Sequence, residues 1–171
     1  MLVKRAMSKN VVSVSVPGNR EKVLDLMRKE DKAVLPVVKG DTKQLVGLIT
    51  RSDLIVNPDE EQIAILMSTD LVTASPDDDV KDVAKKMIDN NVRRVPVVDD
   101  NGDLVGIITS FDLVSNALIK LESDDPVENF MITTVPTTWY KTPLNVAFET
   151  MKQFGLKSVL ALNDSAKLVG I

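Results

Sequence analysis

The chain contains an internal repeat, and this feature limits its possible folds more than any other. Short blocks of sequence recur in the same order at a nearly constant distance of 60 or 59 residues. The recurring blocks are Met7-Ser8 with Met67-Ser68, Leu35–Val38 with Val95–Val98, Leu45–Thr50 with Leu104–Thr109, and Asp53-Leu54 with Asp112-Leu113. Several blocks at one spacing indicate that a supersecondary unit of this length has been duplicated.

A third, incomplete copy follows the second. Met131 corresponds to Met67, and Leu168–Ile171 corresponds to Leu104–Ile107, at an offset of 64 residues. The third copy stops inside its third strand, without the threonine, the aspartate and the final helix of the other two, so we expect a chain cut short before a fourth copy. The expected repeats are residues 1–60, 61–122 and 123–171.

Each copy is predicted to be a β-α-β-β-α unit, which places the chain in the α/β (α+β) class. In the second copy, Asp77–Asp79 supply the cap and first-turn acids of a helix with one apolar stripe, and Asn101-Gly102 is a hairpin turn signal. The expected elements are strands at 71–74, 92–98 and 104–109, helices from about 80 and at 111–121, and a first-copy strand at 11–16. Asp125–Glu128 is predicted to begin a helix with a capping box. Because three strands and two helices leave an apolar face open, neighbouring copies should pack against each other.

The composition excludes several classes of function. The chain has no cysteine and no histidine, which removes disulfides, thiol nucleophiles, Cys/His zinc sites and imidazole bases. Its net charge of −4 argues against broad nucleic-acid binding. No apolar run approaches the roughly 18 residues of a membrane span, and the first ten residues lack the apolar stretch of a signal peptide. We therefore expect a cytoplasmic chain with no membrane partner.

The candidate site is the junction between the third strand and the last helix of each unit. Thr50-Arg51-Ser52-Asp53 in the first copy matches Thr109-Ser110-Phe111-Asp112 in the second. One interpretation is a capping box, with threonine at the N-cap and an acid at N3. The other is a binding site, because a helix N-terminus attracts anions and an adjacent carboxylate can accept both hydroxyls of a ribose. The two interpretations are compatible.

Two further groups of charged residues have alternative interpretations. Arg93 and Arg94 precede the second strand of copy two, where they are either solvated charges or a phosphate-binding pair. The aspartate runs at 77–79, 99–100 and 124–125 fall at helix starts and in a turn, so we interpret them as caps and expect no metal site.

In combination, the LPVV/VPVV block, the LVG block that ends in threonine, and Asp53 and Asp112 three residues later resemble the cystathionine-β-synthase (CBS) domain family. The resemblance covers nearly the whole chain. It implies that two repeats pair about a pseudo-two-fold axis and that their clefts bind an adenosyl nucleotide such as AMP, ATP or S-adenosylmethionine. The ligand-binding residues that it implies are Ser13, Thr50, Ser52, Asp53, Thr73, Arg93, Arg94, Pro96, Thr109, Ser110 and Asp112.

The resulting hypothesis is a regulatory module, most simply a homodimer, that binds a nucleotide without catalysing a reaction. The alternative is a structural or oligomerisation module with vestigial pockets, which the degenerate third copy favours. An enzyme would need a general base, and the sequence shows no evident candidate. Nucleic-acid binding through Arg93-Arg94 is disfavoured by the net negative charge.

Overall fold

The computed structural model describes residues 1–118, 124–156 and 158–171, which form two compact units, Met1–Glu122 and Ser123–Ile171. The first unit holds repeat 1 (residues 1–60) and repeat 2 (61–122). The second unit holds the residues that we assign to the third copy. The helix expected at 111–121 is described as far as residue 118, and its predicted end lies outside the described residues.

Repeat 1 folds as the expected β-α-β-β-α unit. Its elements are β1 (Val14–Val16), α1 (Arg20–Lys29), β2 (Val34–Lys39), β3 (Leu45–Thr50) and α2 (Arg51–Val56). β1 is parallel to β2, and β3 is antiparallel to β2, in the spatial order β1-β2-β3. Helix α1 begins after Asn19, whose side chain accepts a hydrogen bond from the Lys22 amide at 3.1 Å. This contact satisfies one of the free amides of the first turn.

Repeat 2 has a short connecting helix followed by the helix, hairpin and helix of the unit, without its first strand. These elements are α3 (Ile63–Leu66), α4 (Val80–Asp89), β4 (Arg94–Val98), β5 (Leu104–Thr109) and α5 (Ser110–Leu118). β4 and β5 form the predicted antiparallel hairpin. Its turn is held by the Asp99 side chain, which accepts hydrogen bonds from the amides of Asn101 and Asp103, and by Gly102 at φ +80°. Glycine adopts this backbone conformation without a steric penalty.

The strand predicted at 71–74 is wrong. This segment forms a single parallel bridge between Ala74 and Val97, so the sheet of repeat 2 has two strands. In repeat 1 the pairing of β1 with β2 continues from Val14 to Val16. In repeat 2, Ser75 and Pro76 cannot continue the pairing that begins at Ala74. The Ser75 amide donates to the Asp78 carboxylate at 3.1 Å, and Pro76 has no amide hydrogen.

Each repeat contributes part of the other repeat's hydrophobic core. Val3 and Ala6, in and after the short 3₁₀ helix Val3–Arg5, pack in the core of repeat 2. In return, Ile63 and Leu66 of α3 pack in the core of repeat 1. Because burying an aliphatic side chain contributes roughly 1.5–3 kcal/mol, each repeat depends on the connecting segment of the other for its stability.

Backbone hydrogen bonds relate the two repeats by a pseudo-two-fold axis. Ser8 exchanges two hydrogen bonds with Ile107 of β5, at 2.9 and 3.0 Å, and the equivalent Ser68 exchanges two with Leu48 of β3, at 2.8 and 3.0 Å. Near the axis, the Leu45 amide donates to the Gly102 carbonyl and the Leu104 amide to the Lys43 carbonyl. The predicted pairing of repeats 1 and 2 is confirmed.

The second unit has the topology of a partial repeat. Its elements are the 3₁₀ helix Val127–Asn129, β6 (Thr137–Trp139), α6 (Leu144–Gln153), β7 (Leu160–Leu162) and β8 (Leu168–Gly170). β6 and β7 are parallel, whereas β7 and β8 are antiparallel. The capping box predicted at Asp125–Glu128 is wrong: the helix has a single turn, and its N-cap is Pro126, whose side chain has no group that can accept a hydrogen bond.

None of the described residues in the second unit is buried. Many of its larger apolar side chains are solvent-exposed, among them Phe130, Ile132, Leu144 and Phe154. The described core of the chain therefore lies entirely in the first unit. Across the described ranges, each helix falls short of the length and apolar character that a bilayer crossing requires.

Candidate functional site

The junction between β5 and α5 forms a capping box that leaves one carboxylate oxygen available. The Thr109 amide and hydroxyl both donate to Asp112 Oδ2, at 2.7 and 2.6 Å, and the Asp112 amide donates to Thr109 Oγ1 at 3.2 Å. Among the described residues, none donates a hydrogen bond to Asp112 Oδ1. The cap thus fixes the carboxylate in place and leaves Oδ1 open as an acceptor.

The junction between β3 and α2 has the same geometry. The Thr50 amide and hydroxyl donate to Asp53 Oδ2 at 2.7 and 2.8 Å, and the Asp53 amide donates to Thr50 Oγ1 at 3.2 Å. Helix α2 is only six residues long, so this cap satisfies a large share of its free amides. The capping interpretation therefore holds for both junctions.

A cavity of about 330 Å³ lies between repeats 1 and 2, beside the β5–α5 junction. Its volume falls at the lower end of the range of about 300–1,000 Å³ that is usual for small-molecule sites. The lining residues are Ser8, Asn10, Val11, Val12, Asp31, Lys32, Ala33, Val34, Leu35 and Pro36 from repeat 1, with Arg94, Ile107, Thr109 and Asp112 from repeat 2. Both repeats are needed to form it.

Main-chain hydrogen bonds hold the walls of this cavity. The Ser8–Ile107 pair ties the N-terminal segment to β5, and Arg94 opposes Thr109 in the β4–β5 register. At the start of α5, the Ser110 amide donates to the Arg93 carbonyl at 2.9 Å. Because these contacts use backbone atoms, the side chains of Arg94 and Thr109 are positioned by the sheet itself.

The lining combines apolar, cationic and anionic groups. Val11, Val12 and Ile107 are partly buried and provide an apolar surface. Lys32 and Arg94 add two positive charges, and Asp31 and Asp112 add two negative ones. Such a mixture suits a small ligand with a flat apolar part, hydroxyl donors and an anionic group.

A separate acidic cluster, at the start of α4, anchors the N-terminal segment. Asp79 caps the helix and pairs with the Met1 amino group at 2.9 Å, and Lys4 pairs with Asp77 at 2.6 Å. Burial acts to raise the pKa of Asp78, but hydrogen bonds from the Ser75 amide and Lys86 outweigh it and lower that pKa. The pKa of Asp79 is lowered mainly by the Lys81 amide and then by the Met1 amino group.

The structure brings three of the predicted site residues together. Arg94, Thr109 and Asp112 line the 330 Å³ cavity. The others lie outside its lining. These are Ser13, Thr50, Ser52, Asp53, Thr73, Arg93, Pro96 and Ser110.

Several of these other residues have definite surroundings. Ser13 lines a different cavity, with Lys9, Thr42 and Lys43. Arg93 and Ser110 lie together in an apolar depression between α4 and α5. Pro96 is buried in β4 opposite Ile107, and the half-buried Thr73 accepts a hydrogen bond from Lys86 through its carbonyl.

The residues that sequence reasoning missed lie on the repeat 1 side of the cavity. They are mainly Ser8, Asn10, Asp31, Lys32 and Pro36. A local motif does not identify them, because they face the Thr–Asp box of the other repeat rather than their own. The sequence feature that could have identified them is the repeat. Once repeats 1 and 2 are paired about a pseudo-two-fold axis, the segment before β2 faces the start of α5.

A sequence model of the CBS domain matches residues 3–58 and again residues 61–118. The chain belongs to the CBS domain family. The resemblance seen in the sequence is therefore confirmed, and the first unit is a CBS domain pair.

Curated relatives share this region. Protein MK0525 of Methanopyrus kandleri is 36% identical over 85 residues, which cover 46% of this chain and 43% of that protein. Inosine-5'-monophosphate dehydrogenase of Nitrosopumilus maritimus is 35% identical over 120 residues, or 67% of this chain and 24% of the enzyme. The matches thus span less than half the length of these relatives.

Solved structures agree with the fold. Protein MJ1225 of Methanocaldococcus jannaschii superposes with a TM-score of 0.84 at 21% identity, covering 99% of this chain and 68% of that one. The CBS domain pair of MJ0100, in complex with 5'-methylthioadenosine and S-adenosyl-L-methionine, has a TM-score of 0.63 at 32% identity and covers 68% and 99%. CBSX2 in complex with AMP has a TM-score of 0.63 at 25% identity and covers 70% and 98%.

Proposed function

We propose that this CBS domain pair is a regulatory module that binds an adenosine-containing nucleotide, of the AMP, ATP or S-adenosylmethionine class, and performs no catalysis. The observation that carries this proposal is the cavity between the repeats, into which the Asp112 carboxylate is fixed by its capping box. Related CBS pairs, in MJ0100 and CBSX2, were solved with adenosine ligands.

The lining offers a complementary group for each part of such a ligand. Asp112 Oδ1 accepts hydrogen bonds from the ribose hydroxyls, as acidic residues do in dinucleotide-binding folds. The cations at the wall, Lys32 and Arg94, suit the phosphate. Val11, Val12 and Ile107 pack against the adenine ring, because a flat apolar ring gains most from a partly buried aliphatic surface.

Signalling would follow from the position of the site. A ligand that contacts both repeats stabilises one relative arrangement of the repeats over others, by its differential affinity for them. The Ser8–Ile107 pair lies in the cavity wall, so the N-terminal segment would be stabilised together with the ligand. We propose a cytoplasmic location, since these nucleotides are made and used inside cells.

We assign the Thr50–Asp53 box, with Ser52, to a second, pseudo-equivalent site. Its carboxylate has the same geometry as Asp112, and Thr73, Arg93 and Pro96 correspond by the repeat to Ser13, Ala33 and Pro36. Ser13 and Ser110 are proposed to lie at the edges of the two sites. Calorimetry measures this directly: two sites predict a stoichiometry of two nucleotides per chain, and a stoichiometry of one contradicts the second site.

The main test is isothermal titration calorimetry of wild-type protein and the Asp112→Asn variant with AMP, ATP and S-adenosylmethionine. Asparagine keeps the shape and a capping oxygen but loses the charge, so the affinity for the ligand that binds should fall by about tenfold or more. The matched control is Asn19→Ala, which removes the α1 cap, outside the cavity, at a cost of about 0.5–2 kcal/mol. If Asp112→Asn binds like wild type while only its melting temperature falls, the box is purely structural.

An alternative function is a structural or oligomerisation module. Its support is exposed apolar surface: Ile88 of α4 is 78% exposed, Phe111 of α5 is 76% exposed, and the second unit exposes many of its larger apolar side chains. We propose that a second copy covers α4 and α5. Light scattering measures whether the protein is a dimer, and the titrations above measure whether it binds a nucleotide. A dimer that binds none of the nucleotides favours the structural role alone.

A further inference from the structure

The second unit begins with a short arm, residues 127–131, that lacks the contacts made by its counterpart in the first unit. The repeat offset of 64 residues matches three arm residues with residues in and after α3: Val127 with Ile63, Phe130 with Leu66, and Met131 with Met67. Leu66 is 8% exposed because it packs in the core of repeat 1, whereas Phe130 is 73% exposed. The apolar side chains of the arm are therefore free to pack against another repeat.

The surface that should receive such an arm is also open in the second unit. In the first unit, a Cβ at either glycine of the paired hairpins would lie 2.5 or 2.6 Å from a methionine sulfur of the other repeat, Met7 over Gly106 and Met67 over Gly47. Gly170 of β8 corresponds to Gly106, and a Cβ there would meet nothing within 4 Å in the described part of the chain. Its neighbour Leu168 is 61% exposed, whereas the equivalent Leu104 is 9% exposed.

The contacts within one molecule indicate what covers these two surfaces. The glycines of β3 and β5 already lie under methionines, so neither strand of the first unit can receive the arm. The arm does not cover the sheet of its own unit either, because Met131 is 55% exposed and Gly170 is open. Of the three glycine-bearing strands in the described ranges, β8 of a second copy is the one that remains available.

We propose that two copies of this chain pair through their second units, with the arm of each copy lying on β8 of the other and Met131 of one copy lying on Gly170 of the other. The exchange in the first unit shows that an arm and a glycine-bearing strand form a self-complementary surface. A true two-fold dimer requires the same patch on both subunits, and the second unit presents both halves of that patch. Burying Val127 and Phe130 supplies the driving force. This pairing does not depend on nucleotide binding.

Cysteine crosslinking tests the proposed contact directly, because the chain has no cysteine of its own. In the first unit, a Cβ at Gly106 would lie 3.1 Å from Met7 Cγ, which is close enough for cysteines at these two positions to form a disulfide. An equimolar mixture of Met131→Cys and Gly170→Cys should give a covalent dimer under mild oxidation, and neither variant alone should. The matched control, Met7→Cys/Gly106→Cys, should lose its free thiols without forming a dimer.

Analytical ultracentrifugation provides a second measurement that needs no introduced cysteine. Wild type should be a dimer at about 10 µM, and Phe130→Glu should raise the dimer dissociation constant by about tenfold or more. The matched control is Phe111→Glu, which alters a phenylalanine of similar exposure on α5 and should leave the dissociation constant unchanged.

The outcomes identify what covers the second unit. A monomeric wild type overturns the proposal and favours a fourth repeat as the cover. A dimer that Phe111→Glu disrupts and Phe130→Glu leaves intact also overturns it, because the copies would then meet through α5. Should Phe130→Glu unfold the second unit in circular dichroism, the crosslink decides: no covalent dimer from the mixed variants, when the control pair closes, contradicts the proposed contact.

Discussion

At the residue scale, the glycines of the first two LVG blocks, Gly47 and Gly106, determine how closely the repeats pack. Gly106 of β5 faces Met7, and a Cβ at this position would lie 2.5 Å from Met7 Sδ and 3.2 Å from the Ser8 carbonyl oxygen. Gly47 of β3 faces Met67 in the same way, with the corresponding distance to Sδ at 2.6 Å. Because neither glycine has a side chain, the Met7-Ser8 segment can lie directly on β5, and the Met67-Ser68 segment can lie directly on β3.

Gly106→Ala should therefore destabilise the pair by about 1–3 kcal/mol, because Met7 must move and the neighbouring backbone limits how far it can. Gly47→Ala should behave alike. Urea denaturation measures both, and the double variant Gly106→Ala/Met7→Ala serves as the control. If the alanine clashes with Met7, removing that side chain lowers the additional cost of the glycine substitution. Equal costs with and without Met7 would contradict this explanation.

The Thr–Asp boxes show how much a short motif can reveal. Thr109 and Asp112 were identifiable from sequence because a capping box acts within four residues, and the structure places both in the cavity wall. Lys32 and Asn10 were not selected, because their role depends on a neighbour about 80 to 100 positions away in sequence. The spacing of Thr109 and Asp112 in the sequence is enough to identify them as a capping box. Lys32 and Asn10 can be identified only when the packing of the two repeats is known.

At the scale of the elements, the start of α4 joins the N-terminal segment to repeat 2. Its acids accept hydrogen bonds or form ion pairs with the Ser75 amide, Lys86 and the Met1 amino group. The 3₁₀ helix Val3–Arg5 is thereby held against the repeat 2 core. The same region stops the strand pairing beyond Ala74, since the Ser75 amide donates to Asp78 and Pro76 has no amide hydrogen.

These acids predict a pH dependence. The pKa values of Asp78 and Asp79 are below their usual 3.8, so both carboxylates stabilise the folded state above that value. This stabilisation is lost as the pH falls through the lowered folded pKa values. Thermal melts between pH 6 and pH 2.5 should therefore show a steeper loss for wild type than for Asp78→Asn/Asp79→Asn, which keeps a capping side chain at position 79. Parallel curves would show that these groups do not contribute.

At the scale of the whole molecule, the repeat predicted the architecture and missed the exchange of connecting segments. The β-α-β-β-α order of repeat 1 and its pairing with repeat 2 followed from recurring blocks and their helical stripes. The packing of Val3 and Ala6 on repeat 2, and of Ile63 on repeat 1, left no such pattern. Periodicity reports which face of an element is buried but not which neighbour covers it.

This exchange would couple the two repeats in the proposed nucleotide sensing. Because each core contains residues from the other repeat, a change in one repeat alters the packing of both. A ligand in the 330 Å³ cavity would contact the N-terminal segment, β2 and the β5–α5 junction at once. At a ligand concentration of one hundred times Kd, binding would add about 2.7 kcal/mol to the stability of the paired state.

The central claim is that an adenosine nucleotide binds between the two repeats, and the most direct test is a crystal structure of the protein with AMP. The account predicts AMP in the cavity, with its ribose hydroxyls hydrogen-bonded to Asp112 and its phosphate in contact with Lys32 and Arg94. AMP bound elsewhere on the molecule, with this cavity free of nucleotide at a saturating concentration, would contradict it.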